Sequence, residues 1–554
     1  IDCETRDDNL LSLGPGVRRD GYIVGVAVGT DDGFRAYYPI AHEVGREYNL
    51  APEAVFAWLK VELSRARQDK VGANLLYDLD FLAAVGVGVQ GRLLDVQIAE
   101  PLIDENRLSY SLEALSRHYL SESKVDEELY RWAAASYGGE PTRRQQGGNI
   151  WRCPPQLVGP YAEGDVDLPL RILEKQELVI AQQNLGGIFD LETRLTPLLL
   201  AMRQRGVRVD LEKAQRAHEM LDRRVAAYTR ELGGIDVYSS SDLQRYCDKE
   251  GIAYGRTEAG NPSFTAAFLE SSNDERLRKV VAVRKLTKCR DVFIKGYILD
   301  KHIGGRLHCQ FHPLRSDDSG AVSGRFSSSD PNLQNIPNRD PELGPLVRSV
   351  FVPEEDERWA RFDQSQIEFR FLAHYGRGVG AEAVRSQFRT DPKVDFHTMT
   401  AEMCSIDRKP AKNINFGLVY GMGEKTMAAN LDRSLEDVKP IFEQYHARLP
   451  FVRETFHSVA RVAEQRGWIT TVLGRRRRFD VWEPKAWGDK RLFSSEEKAI
   501  AACGWGKVRR AQTNKALNAL LQGSAADQIK KSMVDIWESG VCDVLGAPLV
   551  TVHD

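Results

Sequence analysis

Four side chains spaced four residues apart, Arg408, Lys412, Phe416 and Tyr420, constrain this chain more than any other feature. They lie in Arg-Lys-Pro-Ala-Lys-Asn-Ile-Asn-Phe-Gly-Leu-Val-Tyr-Gly, residues 408–421. In an α-helix each step of four turns about 40° past a full revolution and climbs roughly 6 Å, so the four would line one curving stripe about 18 Å long. Two cations sit at one end and two aromatic rings at the other. Anionic phosphate oxygens call for Lys and Arg donors, and a base and sugar call for a flat apolar surface. The stripe therefore suits a nucleoside triphosphate, although an ordinary amphipathic helix shows the same spacing.

The pattern Arg-x-x-x-Lys-x-x-x-Phe-Gly-x-x-Tyr-Gly resembles the fingers helix of family A DNA polymerases, the bacterial polymerase I and phage replicative type. Further matches follow in that family's order. Ser323-Gly324-Arg325-Phe326-Ser327-Ser328, continuing to Pro337, is similar to the family's Thr-Gly-Arg-Leu-Ser-Ser loop. Its amides, hydroxyls and Arg suit phosphates and minor-groove acceptors, which check base-pair shape without reading sequence. The resemblance assigns Arg325, Asn332, Gln334 and Asn335 to the primer–template junction. Arg361-Phe362-Asp363-Gln364-Ser365-Gln366-Ile367-Glu368 resembles motif A. That implies a metal-binding Asp363, nucleotide contacts from Gln366 and Glu368, and a Glu368 that excludes a ribose 2′-hydroxyl. Asp395-Phe396-His397 resembles the Asp-x-His whose His397 approaches the triphosphate. Asn518 to Asp527 resembles the segment whose Asn518 and Gln522 meet DNA near the new pair. Val552-His553-Asp554 resembles the start of motif C, which implies a DNA contact from His553 and a second metal-binding carboxylate in Asp554.

A second set of acidic residues lies near the amino terminus. Asp2 and Glu4 share one face of a strand, because strand side chains alternate with period two. Asp78, in Asn-Leu-Leu-Tyr-Asp, and Asp165, in Tyr-Ala-Glu-Gly-Asp, could join them to hold two divalent cations. Tyr161 lies one helical turn before Asp165, where it could orient an attacking water. The three segments resemble a DEDDy-type 3′→5′ exonuclease, and the resemblance also assigns Asn74 to the substrate site. An exonuclease fold with a dead site is the alternative for this region, and intact carboxylates at Asp2, Glu4, Asp78 and Asp165 argue against it.

A length of 554 residues suits three or four domains. With 42% hydrophobic and 28% charged residues, the composition is that of a globular protein. A net charge of −3 does not by itself announce nucleic-acid binding. Local basic runs, Arg475–Arg478 and then Lys507, Arg509, Arg510 and Lys515, are candidate DNA patches or solvated surface. The eight cysteines have no zinc spacing, and no apolar run approaches a membrane span.

Apolar runs at Tyr22–Val28 and around Asp95–Ile98 alternate with helical patterns at Pro52–Arg67 and Leu168–Gln182, which reads as α/β. Residues 134–155 read as a polar, irregular insertion. The stretch from Leu191 to about Asp300 reads as an elongated helical subdomain. Arg358–Phe362 and Pro548–Val552 read as short strands, each ending at an Asp.

The expected fold class is multidomain α/β and α+β: a ribonuclease H-like exonuclease domain, then a right-hand polymerase of thumb, palm and fingers, truncated at the C-terminus. Expected boundaries are 1–187 for the exonuclease, 188–305 for the thumb and start of the polymerase region, 306–395 for the first part of the palm, 396–516 for the fingers and 517–554 for the second part of the palm. Segments 134–155 and 481–507 match the family least. The chain opens at Ile1 without Met and stops at Asp554, so both ends read as cut, and residues 1–554 are expected to excise a 3′ end without extending one.

The expected reaction is template-directed DNA synthesis with proofreading, using two Mg2+ ions in each site with Mn2+ able to substitute. Expected partners are primer–template DNA and deoxynucleoside triphosphates, without a membrane. The protein is expected to be a monomer in a bacterial nucleoid or an infected host's cytoplasm. Two rivals stand beside this reading. A single-subunit RNA polymerase is opposed by Glu368 and the exonuclease carboxylates, and a non-catalytic nucleic-acid-binding module would bind DNA without magnesium-dependent turnover.

Overall fold

The computed structural model describes residues 1–257, 259–431 and 433–552. His553 and Asp554, both assigned from motif C, lie outside the described residues. The first ~185 residues are α/β, as their hydrophobic periodicity suggests. Strands β1 (Asp2–Arg6), β2 (Tyr22–Gly29) and β3 (Arg35–Pro39) form an antiparallel sheet in the order β1-β2-β3. Strands β4 (Lys70–Gly72) and β5 (Leu93–Asp95) pair in parallel. Val24, Val26, Leu59, Leu75 and Leu82 are buried here. The helix Pro155–Gln182 begins with Pro at its first turn, where the missing N–H costs nothing, and packs across β2 and β3.

Two expectations for this region need correction. The apolar run around Asp95–Ile98 is not a continuous strand. It turns helical at Val96 because Asp95 caps the helix Val96–Ile103, accepting the Gln97 N–H at 2.8 Å. Residues 134–155 are not an irregular insertion either. They end one helix (Glu127–Tyr137), add a second (Arg143–Gln146) and a 3-10 turn (Gly147–Arg152), and bury Ile150 and Cys153 against Tyr161.

From Gly186 the chain is helical: Gly186–Arg205, Leu211–Glu231, Ser240–Glu250 and Glu275–Lys288, the last continuing as a π-helix, Cys289–Leu299. A strand pair, Gln310–His312 with Ser327–Ser329, then anchors the Ser323–Pro337 loop. The helices Ile367–Tyr375, Phe396–Cys404, Arg408–Val419 and Pro450–Arg466 pack around Phe369, Phe396, Leu418 and Phe451. The long helix Ala516–Glu538 runs beneath them.

The strands expected at 358–362 and 548–552 are absent among the described residues. A strand is fixed by its neighbour's ladder, and neither segment has a partner strand there. Trp359 and Phe362 are consequently exposed, Phe362 by 76%. No helix among the described residues is long and apolar enough to cross a membrane.

Candidate functional sites

At the amino-terminal site, β1 puts Asp2 and Glu4 on one face, and the helix Pro155–Gln182 brings Asp165 opposite them. Each of the three offers a carboxylate oxygen, and these oxygens lie within 4.8 Å of one another. Burial raises the Asp2 carboxyl to about 6, with Asp165 beside it adding to the shift. Burial also pushes Glu4 well up, with Asp2 reinforcing it. Asp165 Oδ1 is buried and has no hydrogen-bond partner. An all-oxygen donor set with one unspent oxygen suits a hard divalent cation such as Mg2+.

Asp78 departs from the expected fourfold convergence. It is buried on the helix Leu75–Ala84, and its Oδ1 accepts the Cys3 backbone N–H at 2.9 Å, which draws it under β1. It lies beside Asp2 but outside the three-carboxylate group. Tyr161 is buried one turn before Asp165, as expected. Asn74 is exposed in a left-handed conformation at the start of the Leu75–Ala84 helix.

Sequence reasoning missed Lys124. Its ammonium donates to Asp165 Oδ2 at 2.6 Å and to the Tyr161 hydroxyl at 3.2 Å, and its side chain is only 7% exposed. No local pattern in Ser-Glu-Ser-Lys marks it. Only the folded chain brings it to the carboxylates, whose charge it partly offsets.

The second site lies on the fingers-type helix, Arg408–Val419, which ends one residue before Tyr420. Lys412 is exposed, and Arg408 reaches back to pair with Asp395 at 2.6 Å. Phe416 is half-buried, its ring 5.0 Å from Phe369 and 6.2 Å from Tyr420. His397 is buried and meets Asn415 Nδ2 at 3.1 Å, and burial lowers its pKa to about 4. It is therefore neutral at pH 7 in this fold. Gln366 uses both ends of its amide internally, donating to Val394 O at 3.0 Å and accepting the Phe396 N–H at 2.8 Å.

The loop Ser323–Pro337 meets the helix Ile367–Tyr375 through Arg325, whose guanidinium pairs with Glu368. Asn332 accepts from Ser328 at 3.0 Å and from the Gln334 N–H at 3.1 Å, fixing the turn that presents Asn335 to solvent. Gln334 donates to Thr551 O at 3.0 Å. Asn518 and Gln522 stand one turn apart on Ala516–Glu538, and Asn518 Oδ1 has no partner. Asp363 sits on a segment without regular secondary structure, its side chain 57% exposed and 3.7 Å from Arg361.

Beneath the loop is a buried cluster of four charges that sequence reasoning did not assemble. Arg475 donates to Asp527 at 2.8 Å and to Glu192 at 2.5 Å, and Lys530 donates to the same Glu192 oxygen at 2.6 Å. Burial lowers the Lys530 pKa to about 8 despite this pairing. Gly324 lies directly over the Arg475 guanidinium, and a Cβ there would come within 2.6 Å of Nε. The cluster is neutral as a whole, so removing one cation leaves an uncompensated buried anion. Arg475→Met is expected to lower unfolding free energy by ~3–5 kcal/mol in urea denaturation. A loss below about 1 kcal/mol would show the cluster to be dispensable.

The arginine run 475–478 is thus no open DNA patch. Arg477 and Arg478 both pair with Glu105, and Arg476 donates to Gln183 O at 2.7 Å. They clamp the hairpin Trp468–Arg478 against the amino-terminal region because a buried Glu105 must be matched by nearby cations. In the second basic run Arg509 pairs with Glu483, and Arg510 lies over the Trp482 ring.

A helix carrying exposed cations and half-buried rings, a polar loop tied to the neighbouring helix Ile367–Tyr375 and a separate acidic cluster are thus set on one chain. Comparison with known proteins gives the family. Residues 210–554 match DNA polymerase family A, and the chain belongs to that family. It is 35% identical to a DNA-directed DNA polymerase of Pseudomonas phage M6, over 100% of this chain and 87% of that protein. It is 29% identical to DNA polymerase I of Pseudomonas aeruginosa, over 96% of this chain and 57% of that one. Among solved structures it resembles the POL domain of Pol1 from M. smegmatis in complex with DNA primer-template and dNTP, with a TM-score of 0.73 and 25% identity, covering 97% of this chain and 86% of that one. The chain is a DNA-directed DNA polymerase of family A, with an α/β domain preceding the polymerase domain.

Proposed function

We propose that this polymerase proofreads, and that residues 1–187 are its 3′→5′ exonuclease. The observation that carries the reading is the group formed by Asp2, Glu4 and Asp165, with Asp165 Oδ1 buried and unspent. Those residues, with Asp78 beside Asp2, would hold Mg2+, which supplies an activated water and stabilises the leaving oxygen of the phosphodiester. Tyr161 and Lys124 would orient that water and the scissile phosphate from the Asp165 side.

In the polymerase half, 188–305 is read as thumb, 306–395 and 517–554 as palm, and 396–516 as fingers. Arg408 and Lys412 receive the triphosphate of the incoming deoxynucleotide, Phe416 packs against its base and sugar, and Tyr420 lies at the nascent pair. Glu368, held by Arg325, fills the space of a ribose 2′-hydroxyl. Asn332, Gln334, Asn335, Asn518 and Gln522 support or contact the primer–template. Asp363 and Asp554 are read as the carboxylates that hold the polymerase metals. His397 and Gln366 act through the structure, by fixing the Phe369–Phe416 contact and the Phe396 helix start. Mg2+ serves both sites, with Mn2+ able to substitute, and the protein works as a monomer in the bacterial or phage-infected interior.

The direct test presents the full-length protein with a primer carrying a mismatched 3′ end. With Mg2+ and all four deoxynucleotides, removal of the mismatch is expected to precede extension. Extension from the intact mismatch with no excision product would overturn the proofreading reading.

A further inference from the structure

The segment 481–510 carries two indoles that the fold leaves in water. Trp482–Pro484 pairs antiparallel with Val508–Arg510, and the ladder continues where Lys485 N–H donates to Lys507 O at 2.8 Å. Trp487 lies two residues beyond Lys485, and Trp505 two residues before Lys507, so both stand at the same end of the ribbon. Trp487 is fully exposed, at 102%, and Trp505 is 84% exposed. Trp505 is held between Gly504 and Gly506, both at positive φ, a backbone path that only glycine follows without strain.

Large apolar side chains exposed as a pair mark an interaction site more often than chance surface. Charge identifies the partner. Residues 481–510 hold seven Lys and Arg against four Asp and Glu, in a chain whose net charge is −3. Arg509, Arg491 and Arg510 are engaged with Glu483, Asp489 and Phe479 O, whereas Lys490 and Lys507 are exposed in the same ribbon, as is Lys485, whose ammonium donates to Gly506 O at 3.0 Å beside Trp505 in the chain. Flat aromatic faces interleaved with lysines suit unpaired nucleotides, whose bases stack and whose phosphates seek cations. The ribbon also leads through Thr513–Lys515 directly into Ala516–Glu538, the helix of Asn518 and Gln522.

We propose that Trp487 and Trp505, with Lys485, Lys490 and Lys507, form a binding site for single-stranded DNA, the unpaired template ahead of the growing end. The template assignment rests on the reading of Asn518 and Gln522 as DNA contacts. Base stacking on an aromatic side chain contributes enough that removing one costs several-fold or more in affinity.

The test measures anisotropy of labelled primer–templates bound to the full-length protein in EDTA, which prevents excision. One substrate carries a template overhang of about 15 nucleotides and the other an overhang of about two. Trp487→Ala with Trp505→Ala is expected to weaken the long-overhang complex about tenfold and to leave the short-overhang complex unchanged. The pair Trp487→Phe with Trp505→Phe, which keeps a stacking face, is expected to restore most of that affinity. Unchanged binding of the long overhang would overturn the inference, as would an equal loss on both substrates or a Phe pair no better than Ala. Loss of short-overhang binding in Asn518→Ala and Gln522→Ala is expected separately. Its absence would overturn the template assignment even where the Trp variants bind a free single strand weakly.

Discussion

Replacing Asp2 and Glu4 together by Ala is expected to abolish excision of a 3′ end, by at least ~1000-fold, while primer extension by the full-length protein stays within about twofold. The size follows from removing two of the three oxygen donors in the amino-terminal group. Metal-assisted phosphoryl transfer draws several kcal/mol from such positioning, and each 1.36 kcal/mol is about tenfold in rate. The fold should survive. Asp2 and Glu4 are carboxylates that burial and mutual repulsion hold at raised pKa values, so their removal relieves a cost. Lys124 keeps its partner Asp165 in the variant. Single-stranded oligonucleotide trimming and primer extension, assayed on one preparation, check both halves. Joint loss of the two activities in a folded variant would show that the acidic cluster is not an independent site.

The reciprocal result is expected from Asp363→Ala: extension lost by ~1000-fold or more, with trimming of a single strand retained. Asp363 is more than half exposed on a segment without regular secondary structure, and its ion pair with Arg361 is long and solvated at 3.7 Å. Such a pair contributes little to stability, so the substitution should leave the melting temperature within a few degrees. A large effect on synthesis without an effect on folding is what a metal-holding carboxylate produces and a structural one does not. Extension within tenfold of the unsubstituted protein would remove Asp363 from the catalytic assignment.

The sequence carried most of what lies along single elements. The period of two in Asp2-Cys3-Glu4 placed two carboxylates on one face of β1, and the spacing of Tyr161 and Asp165 placed both on one helix. The stripe from Arg408 to Phe416 lies on one helix, with Arg408 paired to Asp395, Lys412 exposed and Phe416 half-buried. What it hid depends on partners distant in the chain. Lys124 reaches Asp165 only through tertiary packing. The four arginines from 475 look like solvated charge until Glu192, Asp527 and Glu105 arrive from other elements to pair with them. Asp78 matches its motif spacing, and the Cys3 amide takes one of its two oxygens, which leaves it beside the three-carboxylate group rather than in it. The strand readings at 358–362 and 548–552 failed because apolar alternation describes a strand's faces, not the ladder that fixes it.

If Asp2, Glu4 and Asp165 form the divalent-cation centre of an editing site, they bind Mn2+. An Mn2+ soak followed by anomalous diffraction should place an ion among the three carboxylates, and Asp165→Asn should abolish it. The affinity should depend on pH with a definite sign. Asp2 titrates near 6 in the metal-free fold but near 4 in an unfolded chain, so its proton competes with metal below about 6. Because the folded state holds that proton longer, metal-free stability falls as pH rises from about 4 through 6, and a bound cation offsets the loss. Binding that tightens as pH rises through 6, with the ion in place, is the expected result. No ion at millimolar Mn2+ and pH 7.5, with Lys124 still paired to Asp165, would show that the three carboxylates are not a metal centre.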